Sequence, residues 1–208
     1  FSYLYFSDPH IGHKKFNHEL FDKMVTLTKR YKPDFAIDPG DNVEGMSGRP
    51  GHIYELSQLG FEEQVKHASE LYSRLPIPIY GIDGNHDGWY YEKNHGGAIV
   101  GVDLEARIKN YHHLGQMEGH LKVDGIGIHL FHGNDGTAYA DSYKLQKLIE
   151  SYTGGEKPNI VHSGQYHKAI YLFRRNVHGF ECGTLCGQSK FMRGKKIQAH
   201  MGFGFVTV

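Results

Sequence analysis

Three short apolar runs, Phe1–Phe6, Phe35–Asp38 and Ile77–Asp83, alternate with two amphipathic stretches at the start of the chain. That order constrains the fold more than any other feature. Strands joined through helices pair in parallel, because each crossover carries the chain back across the sheet. Parallel strands finish on one edge, where an open α/β sheet places its chemistry. A first helix is expected over Phe16–Tyr31, where Phe16, Leu20, Met24, Leu27 and Tyr31 recur every three or four residues and Lys32-Pro33-Asp34 stops the pattern. A second is expected over Glu55–Leu75, with Leu59, Val65, Ala68, Leu71 and Leu75 as its apolar set.

Each of the three strands ends in polar residues. The first runs into Ser7-Asp8-Pro9-His10. In extended backbone Asp8 and His10 project to one side, and Pro9 keeps Asp8 out of a helix. The second runs into Pro39-Gly40-Asp41-Asn42-Val43-Glu44-Gly45, and the third into Gly84-Asn85-His86-Asp87. Asn85 offers a neutral carbonyl oxygen to a hard cation, and His86 can donate a proton or stabilise negative charge. Gly-Asn-His-Asp is also good turn chemistry, so this stretch alone leaves both readings open.

The second half of the chain changes character. Gly119–Asp124 and Ile126–Phe131 alternate around Gly125 as a hairpin that delivers His132-Gly133. Val102–Tyr111 reads as a short helix, and Ser142–Tyr152 as another ending at Gly154-Gly155. Asn159–His162 reads as a strand opening onto Ser163-Gly164-Gln165-Tyr166-His167-Lys168. Ala169–Phe173, Val177–Glu181 and Gly202–Val208 read as closing antiparallel strands. The Gly-rich stretch 45–54 reads as a loop. Residues 88–100 are aromatic and Gly-rich, and Trp89–Tyr91 suit either stacking on a base or packing at the core rim.

Lys+Arg and Asp+Glu balance at 23 each, so no global basic field marks a nucleic-acid partner, although a local basic groove stays open. Sixteen histidines favour a metal or acid–base site. Cys182 and Cys186 lack a second pair, which speaks against a zinc knuckle and for reduced, buried thiols in a cytoplasmic protein. No apolar run reaches transmembrane length and no leader pattern is present, and the first residue already lies in a strand pattern. The expectation is one domain over residues 1–208, in the cytoplasm (of a host cell, were the chain phage-encoded), with no membrane partner.

Five strand-to-loop junctions thus carry ligand-type residues: Asp8 with His10, then Asp41, Asn85, His132 and His167. Carboxylate, imidazole and amide oxygen in one cluster suit a pair of divalent ions such as Mn, Fe or Zn. Two ions lower the pKa of a bridging water and clamp a phosphoryl group, and Asp41 is the natural bridging carboxylate. Taken singly, Asp8 reads equally as a helix N-cap, His132 as a turn residue and His167 as a surface residue. The recurrence at five strand ends is what separates the set from ordinary turn chemistry.

Asp8-Pro9-His10, Gly40-Asp41, Gly84-Asn85-His86-Asp87, His132-Gly133 and Gly164-Gln165-Tyr166-His167 resemble, in order, the five motifs of the calcineurin-like metallophosphoesterases. The resemblance implies an α/β fold, a four-layer αββα sandwich of two mixed sheets flanked by helices, with a dinuclear metal site at the strand ends. It implies that Asp8, His10 and His167 hold the first ion, Asp41 bridges, and Asn85 and His132 hold the second. His86 would stabilise the transition state or protonate the leaving oxygen. Asp87 would orient His86, or use its carboxylate in local hydrogen bonds alone. The expected cofactor is two divalent ions, Mn foremost, with Fe, Zn, Ni or Mg as alternatives. One position departs from the pattern: the family's last motif is usually Gly-His-x-His, and Gln165 replaces its first histidine. A Gln oxygen is neutral and a poorer donor to zinc-like metals, so a weak second site and reduced activity are expected.

The family's protein phosphatases carry Gly-Asp-x-x-x-Arg, and Gly45 occupies that Arg position here, which favours a phosphodiester over a monoester. Glu44 would repel a dianion if it faced the site, and is otherwise a solvated loop acid. Tyr171–His178 and Lys190–Lys196 mix basic and aromatic residues, which suits a nucleic-acid backbone or simply charged hairpin tips. A thinner resemblance to phage-type and prokaryotic DNA-repair-nuclease phosphoesterases points toward nucleic acid as well. The expectation is therefore a metal-dependent phosphodiesterase, a nuclease, working through a metal-bridging water. The alternatives are a catalytically impaired nucleic-acid- or protein-binding module, and a small-nucleotide phosphodiesterase.

Overall fold

The computed structural model describes residues 1–92 and 97–208. The chain runs β1 (Ser2–Tyr5), α1 (His18–Tyr31), β2 (Phe35–Asp38), α2 (Phe61–Tyr72), β3 (Ile79–Asp83), α3 (Asn85–Glu92), α4 (Val100–Arg107) and β4 (Tyr111–Gln116). It continues through β5 (Glu118–Val123), β6 (Ile126–His132), α5 (Tyr143–Ser151), β7 (Ile160–Gly164), β8 (Ala169–Arg174), β9 (Val177–Cys182), α6 (Lys190–Gly194) and β10 (Gly204–Thr207). One five-stranded sheet has the order β10-β1-β2-β3-β4, the other β5-β6-β7-β9-β8. In the first, β1 to β4 are parallel and β10 is antiparallel. In the second, β6, β7 and β9 are parallel, with β5 and β8 antiparallel at the edges.

Strand alternation assigns the layers. Tyr3, Phe35, Ile37 and Ile82 turn one way and meet Ile128, Leu130 and Ile160 of the second sheet. Leu4, Ala36, Ile79 and Tyr111 turn the other way, onto Phe21 and Met24 of α1, Val65 and Ala68 of α2, and Leu104 of α4. On the far side, Leu145 and Ile149 of α5 pack on Val161 and Val177. The result is helices, sheet, sheet and helix, and covering β1 to β3 on both faces explains their nearly continuous apolar sequence. The fold class expected from the sequence is the one observed.

Element ends differ from the sequence reading for local reasons. Helix α1 begins at His18 because the Asn17 side chain caps it, accepting from the Leu20 N–H at 2.9 Å. The helix expected over Glu55–Leu75 is broken. A 3-10 turn covers His52–Glu55, Gly60 takes φ 85°, and α2 starts only at Phe61. Leu59, counted in that helix's apolar set, is 54% exposed. Helix α4 ends at Arg107, and the polar run Tyr111–Gln116 forms β4, which the sequence reading missed. The chain after β3 turns directly into α3 instead of a loop, and α6 was not anticipated. Residues 93–96 of the Gly-rich stretch 88–100 lie outside the described residues. Among the described residues no helix is long and apolar enough to cross a membrane.

Candidate metal centre

The carboxyl ends of β1, β2 and β3 from one sheet meet those of β6 and β7 from the other. Asp8 Oδ1 lies 3.3 Å from His167 Nε2 and 3.9 Å from His10 Nε2, and the two imidazole nitrogens are 3.0 Å apart. Asp41 Oδ2 lies 3.7 Å from His10 Nε2 and 3.3 Å from His132 Nε2. His132 Nε2 in turn lies 3.1 Å from Asn85 Oδ1 and 3.0 Å from Gln165 Oε1. All seven residues singled out as ligands therefore fall in one contiguous cluster, with Asp41 between its halves. Three groups are tight enough to share a cation: Asp8, His10 and His167; Asp8, Asp41 and His132; and His10, Asp41 and His86.

The backbone is bent to reach this arrangement. Asp8, His10, Asp41, Gln165 and His167 have φ values of 49°, 49°, 54°, 86° and 53°. Such angles are uncommon outside glycine and persist only where surrounding bonds fix them. Here the Asp8 N–H donates to the Gly40 carbonyl and the His10 N–H to the Asp41 carbonyl, both at 3.0 Å. The Gln165 N–H reaches Asp8 Oδ1 at 3.0 Å, the Ser7 hydroxyl donates to Asp8 Oδ2 at 2.6 Å, and the His86 N–H donates to Asp41 Oδ1 at 2.8 Å. Two motif glycines are sterically required. A Cβ at Gly84 would overlap Asp41 Oδ1, and one at Gly164 would sit 2.7 Å from the Pro39 carbonyl oxygen and 2.8 Å from His132 Nδ1.

Hydrogen bonds decide which lone pairs face inward. His132 Nδ1 lies 2.7 Å from the Pro39 carbonyl oxygen, an acceptor only, so the ring donates from Nδ1. In the neutral ring Nε2 then presents a lone pair to three oxygens, those of Asn85, Gln165 and Asp41. His10 repeats the pattern, with Nδ1 2.9 Å from Glu44 Oε2 and Nε2 turned toward Asp8, Asp41 and His167. Among the described residues no lysine or arginine pairs with Asp8 or Asp41; their ion-pair partners are histidines. Converging acceptors without a donor are what a cation completes, and carboxylate, amide and imidazole donors together fit a divalent ion. A proton takes that place when no cation does. Burial lowers the His132 pKa, but the Asp41 carboxylate outweighs it and lifts the ring to about 10. Asp41 in turn, despite burial, is held well below the usual carboxylate range by His132 and His86.

His86 donates from Nδ1 to the Glu44 carbonyl oxygen at 2.8 Å, and its ring packs on Trp89 with centroids 3.9 Å apart. Burial works against its charge, yet Asp41 and Glu44 lift its pKa to about 9. Asp87 does not orient this ring. Its buried carboxylate accepts from the backbone N–H groups of Asn42, Val43 and Gly84 at 3.0, 2.9 and 2.8 Å, which leaves the alternative of local hydrogen bonding. Glu44 is not a solvated loop acid. It is buried between His10 and His52, with Oε1 2.8 Å from His52 Nε2. Sequence reasoning missed this link. Its only trace in the chain is an acid in the Asp41 loop shortly before His52.

A cavity of about 720 Å³ opens over the cluster. His10, Asp41, Asn85, His86, Gln165 and His167 line it together with Arg49, Trp89, Phe191 and Lys195. The Arg49 guanidinium lies 5.0 Å from the Phe191 ring centroid. Of the two basic–aromatic blocks, Lys190–Lys196 contributes to this cavity and Tyr171–His178 does not. Arg175 donates to the carbonyls of Ile149, Glu150 and Tyr152 at the end of α5, and Arg174 pairs with Glu150 at 2.5 Å. Arg175 thus caps the end of α5, and Arg174 adds a salt bridge to its Glu150 side chain.

The sequence profile of the calcineurin-like phosphoesterases matches residues 1–197. Among solved structures, an archaeal phosphodiesterase superposes with a TM-score of 0.58 at 14% identity, covering 100% of both chains. Yfce, a phosphoesterase from E. coli, gives 0.50 at 13% identity over 89% of this chain and 80% of its own. A single-site variant of Vps29 from Entamoeba histolytica gives 0.52 at 12% identity over 100% and 86%. At these identities the likeness is one of fold. A search of the curated proteins returns no match.

Proposed function

The chain belongs to the calcineurin-like phosphoesterases, a family of metal-dependent hydrolases, and from that premise we propose that it cleaves phosphodiesters in nucleic acid with two divalent ions, Mn foremost. The observation that carries this reading is the His132 ring, committed through Nδ1 to Pro39 and facing three oxygens through Nε2. Asp8, His10 and His167 hold the first ion, Asp41 lies between, and Asn85, His132 and Gln165 hold the second. Bound divalent ions supply a water of lowered pKa and polarise the phosphoryl oxygens. His86 holds a proton on Nε2 and donates it to the leaving oxygen. The second site is the weaker one, because the Gln165 amide brings no charge and little affinity for zinc-like ions. Both sheets supply ligands, so the proposed working unit is a single domain over residues 1–208.

The diester preference rests on where the cations are. The cavity has Lys195 and Arg49, the latter paired with Glu55 at 2.5 Å, among its lining residues, while among the described residues the ion-pair partners of Asp8 and Asp41 are histidines. Cations on the cavity wall suit neighbouring phosphates of a strand. Gln165 is the one feature favouring a binding module with little turnover. Mn-dependent hydrolysis of single-stranded and duplex DNA, compared with a chromogenic phosphodiester and the matching monoester, tests the reading. Diester cleavage that a chelator abolishes and that Asp41→Asn lacks is expected. Faster monoester cleavage would overturn the diester assignment, and strand binding without turnover in Mn would favour the module.

A further inference from the structure

A second group of ligand-type side chains lies on the outer face of the other sheet. His120 on β5 and His129 on β6 are direct cross-strand partners, with rings stacked 4.3 Å apart at 7°. Glu118 is two residues before His120 on β5 and so projects from the same face. One ligand atom from each of the three falls within 4.8 Å of the others. His129 lies three residues before His132 on β6, about 10 Å along the strand and on the opposite face, so this group is separate from the centre described above.

His129 is only 3% exposed, and its Nε2 has no hydrogen-bond partner. An unmet buried polar atom is costly, and this one is aimed at the group, 3.4 Å from Glu118 Oε2. That separation is about the edge of a tetrahedron with bonds near 2.1 Å to a central ion. The other ring nitrogen is already fixed, with Nδ1 2.6 Å from the Tyr152 hydroxyl. When Nδ1 donates there, Nε2 presents a lone pair, as an outer hydrogen bond to a ligating imidazole ensures. Burial and the neighbouring His120 hold the His129 pKa down to about 4, so the ring is neutral at pH 7.

We propose that Glu118, His120 and His129 form a surface-accessible metal site for a zinc-class divalent ion, with Tyr152 orienting His129. Two imidazoles and one carboxylate select Zn²⁺, Ni²⁺ or Cu²⁺ over Mg²⁺ and Ca²⁺. Glu118 and His120 are exposed, so the ion enters from solvent, the His120 ring turns out of its stack on His129 to bring its in-plane lone pair to the ion, and a fourth position is left for water.

The test loads the chelator-stripped full chain with Zn²⁺ alone and counts bound zinc after gel filtration, beside His120→Ala and Glu118→Ala. Both positions are exposed, and circular dichroism checks that the variants keep the fold. Each variant is expected to retain one zinc fewer per chain and to lose one class of sites from the calorimetric isotherm, with Mn-dependent activity unchanged. His129→Phe should lose the same equivalent. Equal zinc content and equal isotherms in all chains would overturn the proposal. Either result leaves the phosphodiesterase reading as it was, because these residues take no part in it.

Discussion

Glu44 Oε2 lies 2.9 Å from His10 Nδ1, so a carboxylate in the wall of the cavity pairs with the ring that turns Nε2 toward Asp8 and Asp41. Burial would raise the Glu44 pKa, but His86, His10 and His52 hold it well below the usual range, so it stays charged. Carboxylates behind ligating histidines typically carry tenfold to hundredfold effects on metal affinity. Glu44→Gln should therefore weaken Mn²⁺ binding at the Asp8–His10–His167 group about tenfold, and Glu44→Ala should weaken it further, as read by calorimetry. Unchanged affinity in both would mean that His10 needs no orienting partner.

Asp87 supports the centre through backbone. Its carboxylate gathers the N–H groups of Asn42, Val43 and Gly84, and also the Asn42 side chain at 3.0 Å, which binds the Asp41 loop to the start of α3. Asp87→Ala leaves those buried donors unmet and should destabilise the fold by about 3 kcal/mol in urea unfolding. Residual turnover should keep its pH profile, because His86 is not Asp87's partner. A profile displaced by a unit or more, with stability intact, would contradict this assignment.

What could be read from the chain, and what could not, follows one physical divide. The strand ends carrying Asp8, Asp41, Asn85 and His132 were legible because each apolar run stops at a polar residue, and parallel pairing then sends those ends to one edge. Strand β4 was not. Its residues His112, His113 and Gln116 are polar, and pairing with β3 fixes it as a strand where its own pattern does not. Leu59 matched a helical period, but Gly60 interrupts the helix there. Partnerships distant in the chain were the least visible. Nothing near Arg175 in sequence says that it caps α5, and nothing near Glu44 says that it meets His10.

Gln165 reaches where the expected histidine would stand, with Oε1 3.0 Å from His132 Nε2. Its N–H already binds Asp8, so replacing the side chain leaves the loop held. Gln165→His supplies an imidazole better matched to the second ion. The variant should bind a second Mn²⁺ or Zn²⁺ at least tenfold more tightly and hydrolyse a chromogenic phosphodiester faster. Equal isotherms and equal rates would make Gln165 an adequate ligand or a bystander.

His162 is one source of acid sensitivity in the fold. It is fully buried between the sheets, with Nε2 2.9 Å from the Tyr3 hydroxyl and its ring stacked on Phe180 at 4.6 Å. Burial pushes its pKa from 6.5 down to about 3. Above pH 6.5 neither the folded nor the unfolded ring binds a proton, and the contribution to stability is complete. Below 6.5 the unfolded chain takes up a proton that the folded chain refuses, so stability falls by about 1.4 kcal/mol per pH unit until the folded ring titrates near 3. His162→Phe keeps the stacking and removes that proton, at the cost of the Tyr3 hydrogen bond. It should therefore be less stable than the parent at pH 8, yet lose less on acidification. Urea midpoints at pH 8, 6 and 5 read the difference in slope, and parallel slopes in the two chains would show that the buried ring is not what acid attacks.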